Sequence, residues 1–284
     1  MLNAMKLIDG KKIAGRIEEE IKRIPHLTSP IKRGRNKSIG GLGVILVGDN
    51  PESRLYVRLK EEAAKRVGIK FEKFLFQQDT RNKIQETNII KTIKKLNADP
   101  EITGIIVQLP LPEGLDTNKI IRAIDPKKDA DGYHPENLKK FQEGDFSFFP
   151  PVLGAVVECI KYTGANLKEK TVAMFSNSEI FPIPYFTYFK KNAKDFNVCG
   201  VKKFGECLLS GDIVITAIGK KQYLKSHLIK PGAIVVDVGI IKESGKIYGD
   251  ADAESLAKKA SWLTPVPGGV GPITVACLLK NVAK

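Results

Sequence analysis

The chain has 284 residues, room for one large or two medium domains, and 42% of them are hydrophobic, enough for packed cores. Its formal net charge is +14, but Lys and Arg are spread along the chain instead of forming one block, which argues against a nucleic-acid module and for a small anionic ligand. No apolar run reaches spanning length and the N-terminus lacks a signal pattern, so a cytoplasmic protein without membrane contact is expected.

Residues 7–13, LIDGKKI, lead into a helix that reaches about Ile24. A polar loop follows, most basic at Lys32–Lys37. Residues 42–47 form an apolar strand that ends at the turn residues Gly48, Asp49 and Asn50. Ser53 is the expected cap of the next helix, which carries Leu55, Leu59, Ala63, Ala64 and Val67 on one side and closes at Gly68. Residues 69–76 alternate as a strand, 81–96 form a helix, 104–109 a buried strand and 118–124 a short helix. This βαβα order implies a parallel sheet with helices on both faces.

Residues 125–135, DPKKDADGYHP, break the pattern with charge, Gly and Pro, and a polar bend continues to Pro150-Pro151. A helix over 153–162 opens a second α/β run. Its strands are 171–175, 198–201, 212–216 and 233–238, with a helix after Pro184. The last two strands run out into Gly219 and Gly239. Near the end stands TPVPGGVGP, residues 264–272, a shaped loop with few side chains that leads into the apolar run 273–279. Such a loop is either plain punctuation or one wall of a ligand site.

Three side-chain groups can carry chemistry. Tyr56 and Lys60 lie four apart and share a helix face; such a pair is ordinarily a surface pair, but a Lys beside a sheet edge can move protons if burial tunes it. Gln108 is an amide at the carboxyl end of an apolar strand, where open α/β sheets bind ligands, or else a capped strand end. Asp129 and Asp131 flank the bend at Gly132, either as turn formers or as acceptors for a heterocycle's N–H groups. Cys159, Cys199, Cys207 and Cys277 lack metal or redox spacing and are expected as reduced thiols. His26, His134 and His227 do not cluster, and no metal site is expected.

Five stretches occur in one register: YVRLK (56–60), GIIVQLPLP (104–112), DPKKDADGYHPEN (125–137), KPGAIVVDVGI (230–240) and TPVPGGVGPITVACLLKN (264–281). Together they resemble the bifunctional methylenetetrahydrofolate dehydrogenase/methenyltetrahydrofolate cyclohydrolase family. The resemblance implies two α/β lobes with a cleft between them. An N-terminal parallel-sheet catalytic lobe (1–150) would be completed by the C-terminal helix (271–284), and a Rossmann-like lobe (151–270) would take the dinucleotide. It implies that Lys60 is the catalytic lysine, held by Gln108. Tyr56 would pack along the folate and Asp131 grip the pterin. Val107, Leu109, Pro267, Gly268, Gly269, Val270 and Gly271 would complete the folate site. On the cofactor side it implies Ser176, Asn177, Ser178 and Ile240. Hydride would pass to NADP, water would then open the methenyl bridge, and a homodimer is expected.

The second lobe departs from the family pattern. Its Gly-Arg-Ser turn reads Ser176-Asn177-Ser178, the glycine a few residues later is Pro182, and Glu179 adds negative charge. Its His-Ser turn is absent, with Val201-Lys202-Lys203 nearby. At the lobe junction, Pro150-Pro151-Val152-Leu153-Gly154-Ala155 replaces Pro-Cys-Thr-Pro-x-Gly. These changes touch the cofactor side. They leave open NAD in place of NADP, a cyclohydrolase without dinucleotide, and a non-catalytic folate binder.

Overall fold

A computed structural model describes residues 4–24, 40–77, 86–146, 149–178, 181–200 and 205–283. In chain order the first half holds β1 (Lys6–Leu7), α1 (Gly10–Lys22), β2 (Gly41–Val47), α2 (Pro51–Val67), β3 (Lys70–Phe76), α3 (Glu86–Ala98), β4 (Gly104–Val107), α4 (Thr117–Arg122) and α5 (Pro135–Gln142). The second half holds α6 (Pro151–Tyr162), β5 (Thr171–Ser176), α7 (Ile183–Asn192), β6 (Asp195–Cys199), α8 (Gly205–Ser210), β7 (Ile213–Ala217), β8 (Ile234–Asp237), β9 (Ile241–Glu243), β10 (Lys246–Tyr248), α9 (Ala253–Leu256), β11 (Trp262–Leu263) and α10 (Val270–Val282). The basic group 32–37, His26, residues 81–85 of the expected helix, Glu179 and residues 201–203 lie outside the described residues.

Chain contacts divide the protein into two units. The first comprises Arg16–Lys140, Asp145–Pro151 and Val275–Lys284; the second comprises Met1–Gly15, Phe141–Gly144 and Val152–Thr274.

The first unit is built on a parallel sheet of three strands, β3-β2-β4. All seven residues of β2 are buried, as a central parallel strand covered on both faces requires. Ile45, Val47, Ile89, Ile93, Leu96, Ile102, Ile105 and Val107 form one apolar cluster between the sheet and α3. Each fully buried Ile there stabilises the fold by about 1.5–3 kcal/mol. Gly43 lets Leu96 pack close to the sheet, since a Cβ at that position would stand 2.9 Å from the end of the Leu96 side chain. Lys128 closes α3 by donating to the carbonyls of Leu96 (3.0 Å), Asn97 (2.7 Å) and Asp99 (2.7 Å). The end of α10 is tied in as well. Thr103 Oγ1 donates to the Val282 carbonyl at 2.7 Å, and Asn281 donates to the carbonyls of Ala130 and Phe149.

Two local expectations need correction here. Asn50, not Ser53, caps α2: its side chain accepts from the N–H groups of Glu52 and Ser53, both at 2.9 Å, with Pro51 opening the helix. Val57 is 1% exposed and Leu59 is 40% exposed, so the inward stripe runs 53–57–60–64–67. That spacing of four and three places Lys60 on the inward side of the helix.

The second unit holds an all-parallel sheet of six strands, β1-β11-β8-β7-β5-β6, and a β9–β10 hairpin. β1 pairs with β11, which explains why residues 1–15 fall in this unit and not with the strand that follows them. The buried strands β7 and β8 carry Ile213, Val214, Ile215, Val235 and Val236 at zero exposure, typical of parallel strands covered on both faces. Cys199 and Cys207 form a disulfide across a Cα separation of 5.8 Å, so two of the four expected thiols are bonded. The end of β6 and the start of α8 bring them together, a proximity that a separation of eight residues does not reveal. Cys159 and Cys277 are free.

Candidate functional site

In the first unit, α2 and the end of β4 meet at a lysine and an amide. Lys60 Nζ donates to Gln108 Oε1 at 2.7 Å. The amide is held from both sides: its Nε2 donates to the Leu109 carbonyl at 2.8 Å, and the Gln108 N–H donates to the Ile45 carbonyl at 2.9 Å. With the NH2 end committed, the oxygen must face the lysine. The strand ends at Val107, so Gln108 stands just past it and only 8% exposed, not within the strand as expected. Burial pushes the Lys60 ammonium below its ordinary range, and the charge of Asp131 opposes that fall. Burial pushes the Asp131 carboxyl up to about 6, against the pull of Lys60.

Asp129 builds the turn that carries Asp131. It is 1% exposed and accepts from the N–H groups of Gly132 (3.1 Å) and His134 (2.7 Å) and from Asn137 Nδ2 (3.0 Å). Gly132 takes the positive φ of 75° that the bend needs. Of the two aspartates, Asp129 is therefore the turn former, and Asp131 is the one electrostatically coupled to Lys60. Tyr56, one turn before Lys60, is partly buried, and desolvation raises its hydroxyl above the usual tyrosine range, with Glu52 adding to the rise. Tyr133, passed over in the sequence, joins this group: burial, with Asp131 and Asp129 nearby, pushes its hydroxyl up to about 12. Leu109 is open at 36% exposure. Val107 is 5% exposed and its side chain belongs to the apolar core, so only its backbone is available to a ligand.

The remaining expected residues lie in the second unit. Pro267 follows a cis peptide bond, Gly268 has φ 103°, and Val270 and Gly271 already belong to α10 and not to a loop. Gly269 is obligatory, because a Cβ there would stand 2.5 Å from the Pro265 carbonyl oxygen. Ser176 ends β5 at 3% exposure, and its Oγ accepts from the Ser178 N–H at 3.1 Å. Asn177 Nδ2 donates to the Ile218 carbonyl at 2.9 Å, and Ser178 Oγ accepts from the Phe181 N–H at 3.1 Å. The carboxyl ends of β5, β7 and β8, adjacent in the sheet, present residues 176–178, 217–220 and 238–240. Gly219 has φ 67° with no atom within 4 Å of a Cβ position, and Ile240 is 45% exposed. An edge that exposes Asn177 and Ser178 beside an exposed apolar residue suits a dinucleotide. No group of three or more His, Cys, Asp and Glu that could hold a metal occurs among the described residues. Among them no helix is long and apolar enough to cross a membrane.

A tuned lysine beside a carboxyl on one α/β unit, and a parallel sheet with an open carboxyl edge on the other, define a two-domain enzyme that pairs proton chemistry with a dinucleotide. Residues 8–131 match the catalytic domain of tetrahydrofolate dehydrogenase/cyclohydrolase, and residues 150–284 match the NAD(P)-binding domain of the same family. The bifunctional protein FolD of Nautilia profundicola is 38% identical over 284 residues, covering 99% of this chain and 96% of its own. The crystal structure of the bifunctional enzyme FolD from Campylobacter jejuni superposes with a TM-score of 0.89 at 37% identity, covering 99% of this chain and 98% of its own. The Trypanosoma brucei dehydrogenase-cyclohydrolase, solved with NADP cofactor and inhibitor, gives a TM-score of 0.89 at 29% identity and covers 99% of this chain and 97% of its own. The chain belongs to the tetrahydrofolate dehydrogenase/cyclohydrolase family, bifunctional enzymes of one-carbon folate metabolism that are both oxidoreductase and hydrolase.

Proposed function

We propose that the chain oxidises methylenetetrahydrofolate with NADP and hydrolyses the resulting methenyl group, with Lys60 as the proton-moving residue of the hydrolytic step. The observation that carries this is the 2.7 Å contact from Lys60 Nζ to an amide oxygen that cannot turn away. Burial lowers the lysine's pKa, which favours the free amine that can accept a proton.

When bound, NADP supplies the acceptor for the hydride. Within the protein, Ser178, Asn177 and the backbone near Gly219 would hold it, with Ile240 as apolar surface. Lys60 takes a proton as water adds to the cationic methenyl carbon and returns it to the ring nitrogen that leaves as the bridge opens, while the carbinol hydroxyl gives its proton to solvent as the formyl carbonyl forms. Asp131 keeps negative charge beside Lys60 and can accept from the pterin. Tyr56 and Leu109 offer apolar surface to the folate, and Val107 and the segment from Pro267 to Gly271 offer backbone. The catalytic domain is read as 1–150 with the helix 271–284, and the dinucleotide domain as 151–270. NADP is supported by the family's NAD(P)-binding domain and by the NADP complex of the Trypanosoma brucei relative. Neither a cyclohydrolase without dinucleotide nor a non-catalytic folate binder draws support from the bifunctional relatives.

A homodimer in the cytoplasm completes this reading. Edge strand β6 exposes Val198 at 44%, and α7 beside it exposes Phe186 at 52%, an apolar edge that is unpaired among the described residues and of the kind a second copy covers. Spectroscopic assay of methylenetetrahydrofolate oxidation with NADP, followed by methenyl hydrolysis, tests the function. Formation of methenyl product that then decays faster than the uncatalysed rate is expected; absence of either phase refutes the corresponding step.

A further inference from the structure

Two carboxylates, Asp237 and Asp250, are 2% and 0% exposed at the carboxyl edge of the second sheet, and no cation is hydrogen-bonded to either among the described residues. Burying a carboxylate without a cation is costly, and the cost is offset only by dense hydrogen bonding. Each has it. Asp237 accepts from the N–H groups of Gly239 (2.9 Å), Asp250 (3.2 Å) and Ala251 (2.8 Å). Asp250 accepts from Thr216 Oγ1 (3.1 Å) and from the N–H groups of Ile218 (2.7 Å) and Lys220 (2.9 Å). Gly239 and Gly249 leave room for this arrangement, since a Cβ at either would collide with the Asp250 or Asp237 carboxyl.

The order of those donors matters. The Ile218 and Lys220 N–H groups belong to the peptides on either side of the Ile218 carbonyl. With both aimed at Asp250, the carbonyl between them is held in one direction, and it accepts from Asn177 Nδ2 at 2.9 Å. Asn177 is the middle residue of the turn after β5. One chain of hydrogen bonds therefore runs from Asp237 through Asp250 and Ile218 to that turn. It also engages one N–H of the exposed Asn177 amide.

We propose that Asp250 is the positioning residue of the dinucleotide turn, holding the two peptides that aim the Ile218 carbonyl at Asn177. This rests on the reading that the 176–178 turn takes the dinucleotide. A turn held in its binding geometry before the ligand arrives binds more tightly.

The test is titration calorimetry of NADP, and of NAD, against the wild type, Asp250→Asn, Asn177→Ala and the double variant, with thermal melting alongside. Each single change is expected to weaken dinucleotide binding about ten-fold, and the double variant no more than the weaker single, because both cut one chain. In the free protein, hydrogen exchange should speed up at Ile218 and Lys220 in Asp250→Asn and spread to Ser178. Effects that multiply in the double variant, or unchanged affinity in a folded Asp250→Asn, overturn the proposal. Asn177 is exposed, so Asn177→Ala keeps the test open if Asp250→Asn does not fold: unchanged affinity in that variant overturns it as well. A wild type that binds neither nucleotide overturns the dinucleotide reading itself, and is told apart by failing before any substitution is made.

Discussion

Lys60 Nζ and Gln108 Oε1 stand 2.7 Å apart across 48 residues of sequence, joining the middle of α2 to the end of β4. The amide has no rotational choice, because its other end is bonded to the Leu109 carbonyl. Gln108→Leu keeps the volume and removes the acceptor, so the amine loses its fixed position. A displacement on the order of 1 Å costs about 10²-fold in rate. Methenyl hydrolysis in that variant should fall by about that factor in kcat with little change in KM, measured by stopped-flow absorbance. An unchanged kcat would show that the amide does not hold the lysine for catalysis.

The Lys60–Asp131 pair sets a pH profile. With Asp131 raised to about 6, hydrolysis should decline below about pH 6, and it should rise further as Lys60 loses its proton, at a pH beneath the ordinary lysine value of 10.5. Asp131→Asn should erase the acid limb. It should also move the rise that follows Lys60 deprotonation to lower pH, because the charge that props up the lysine is gone. Stability follows the same group. Its folded pKa lies above the unfolded 3.8, so its contribution is complete below that value and is lost as pH rises through about 6. Urea unfolding across that window should show a smaller decline in Asp131→Asn than in the wild type.

Lys128 gathers three carbonyls at the end of α3, from Leu96, Asn97 and Asp99. Hydrogen bonds from a charged donor contribute about 1.5–3 kcal/mol, and a cation also suits a helix C-terminus. Lys128→Met should lower unfolding free energy by roughly 2–3 kcal/mol in a urea titration. A loss under about 0.5 kcal/mol would mean that water replaces the ammonium there at no cost.

The Cys199–Cys207 bond gives a chemical count. Unfolded without reductant, the protein should present two reactive thiols, from Cys159 and Cys277, and four after reduction. Closing so short a loop is worth about 2–3 kcal/mol, which the reduced protein should lack. Four thiols before reduction would show the bond to be absent in solution.

Much of this was legible in the residues, and the limits have physical causes. The buried strand 42–47 reads directly, because a parallel strand covered on both faces must be apolar throughout. Lys60 and Gln108 were recognisable as candidates by type and place, but their contact is non-local and no periodicity contains it. The cap of α2 went to Asn50 because an Asx side chain followed by Pro51 outcompetes a serine already inside the helix. β1 was invisible: two residues carry no alternation, and β11, its partner, lies more than 250 residues away. Asp250 did not stand out, because its three donors come from residues 216 to 220, on a strand end that sequence spacing does not bring near.

The central claim is that Lys60 moves the proton in methenyl hydrolysis, and Lys60→Met tests it most directly. Methionine keeps the length and apolar stem while removing the amine. A positioned acid–base group contributes about 10²–10⁴ in rate. Single-turnover hydrolysis of methenyltetrahydrofolate by the folded variant should fall by at least about 10²-fold, with folate still bound in calorimetry. Hydrolysis within about two-fold of the wild type would contradict the role given to Lys60 and, with it, the account of the site.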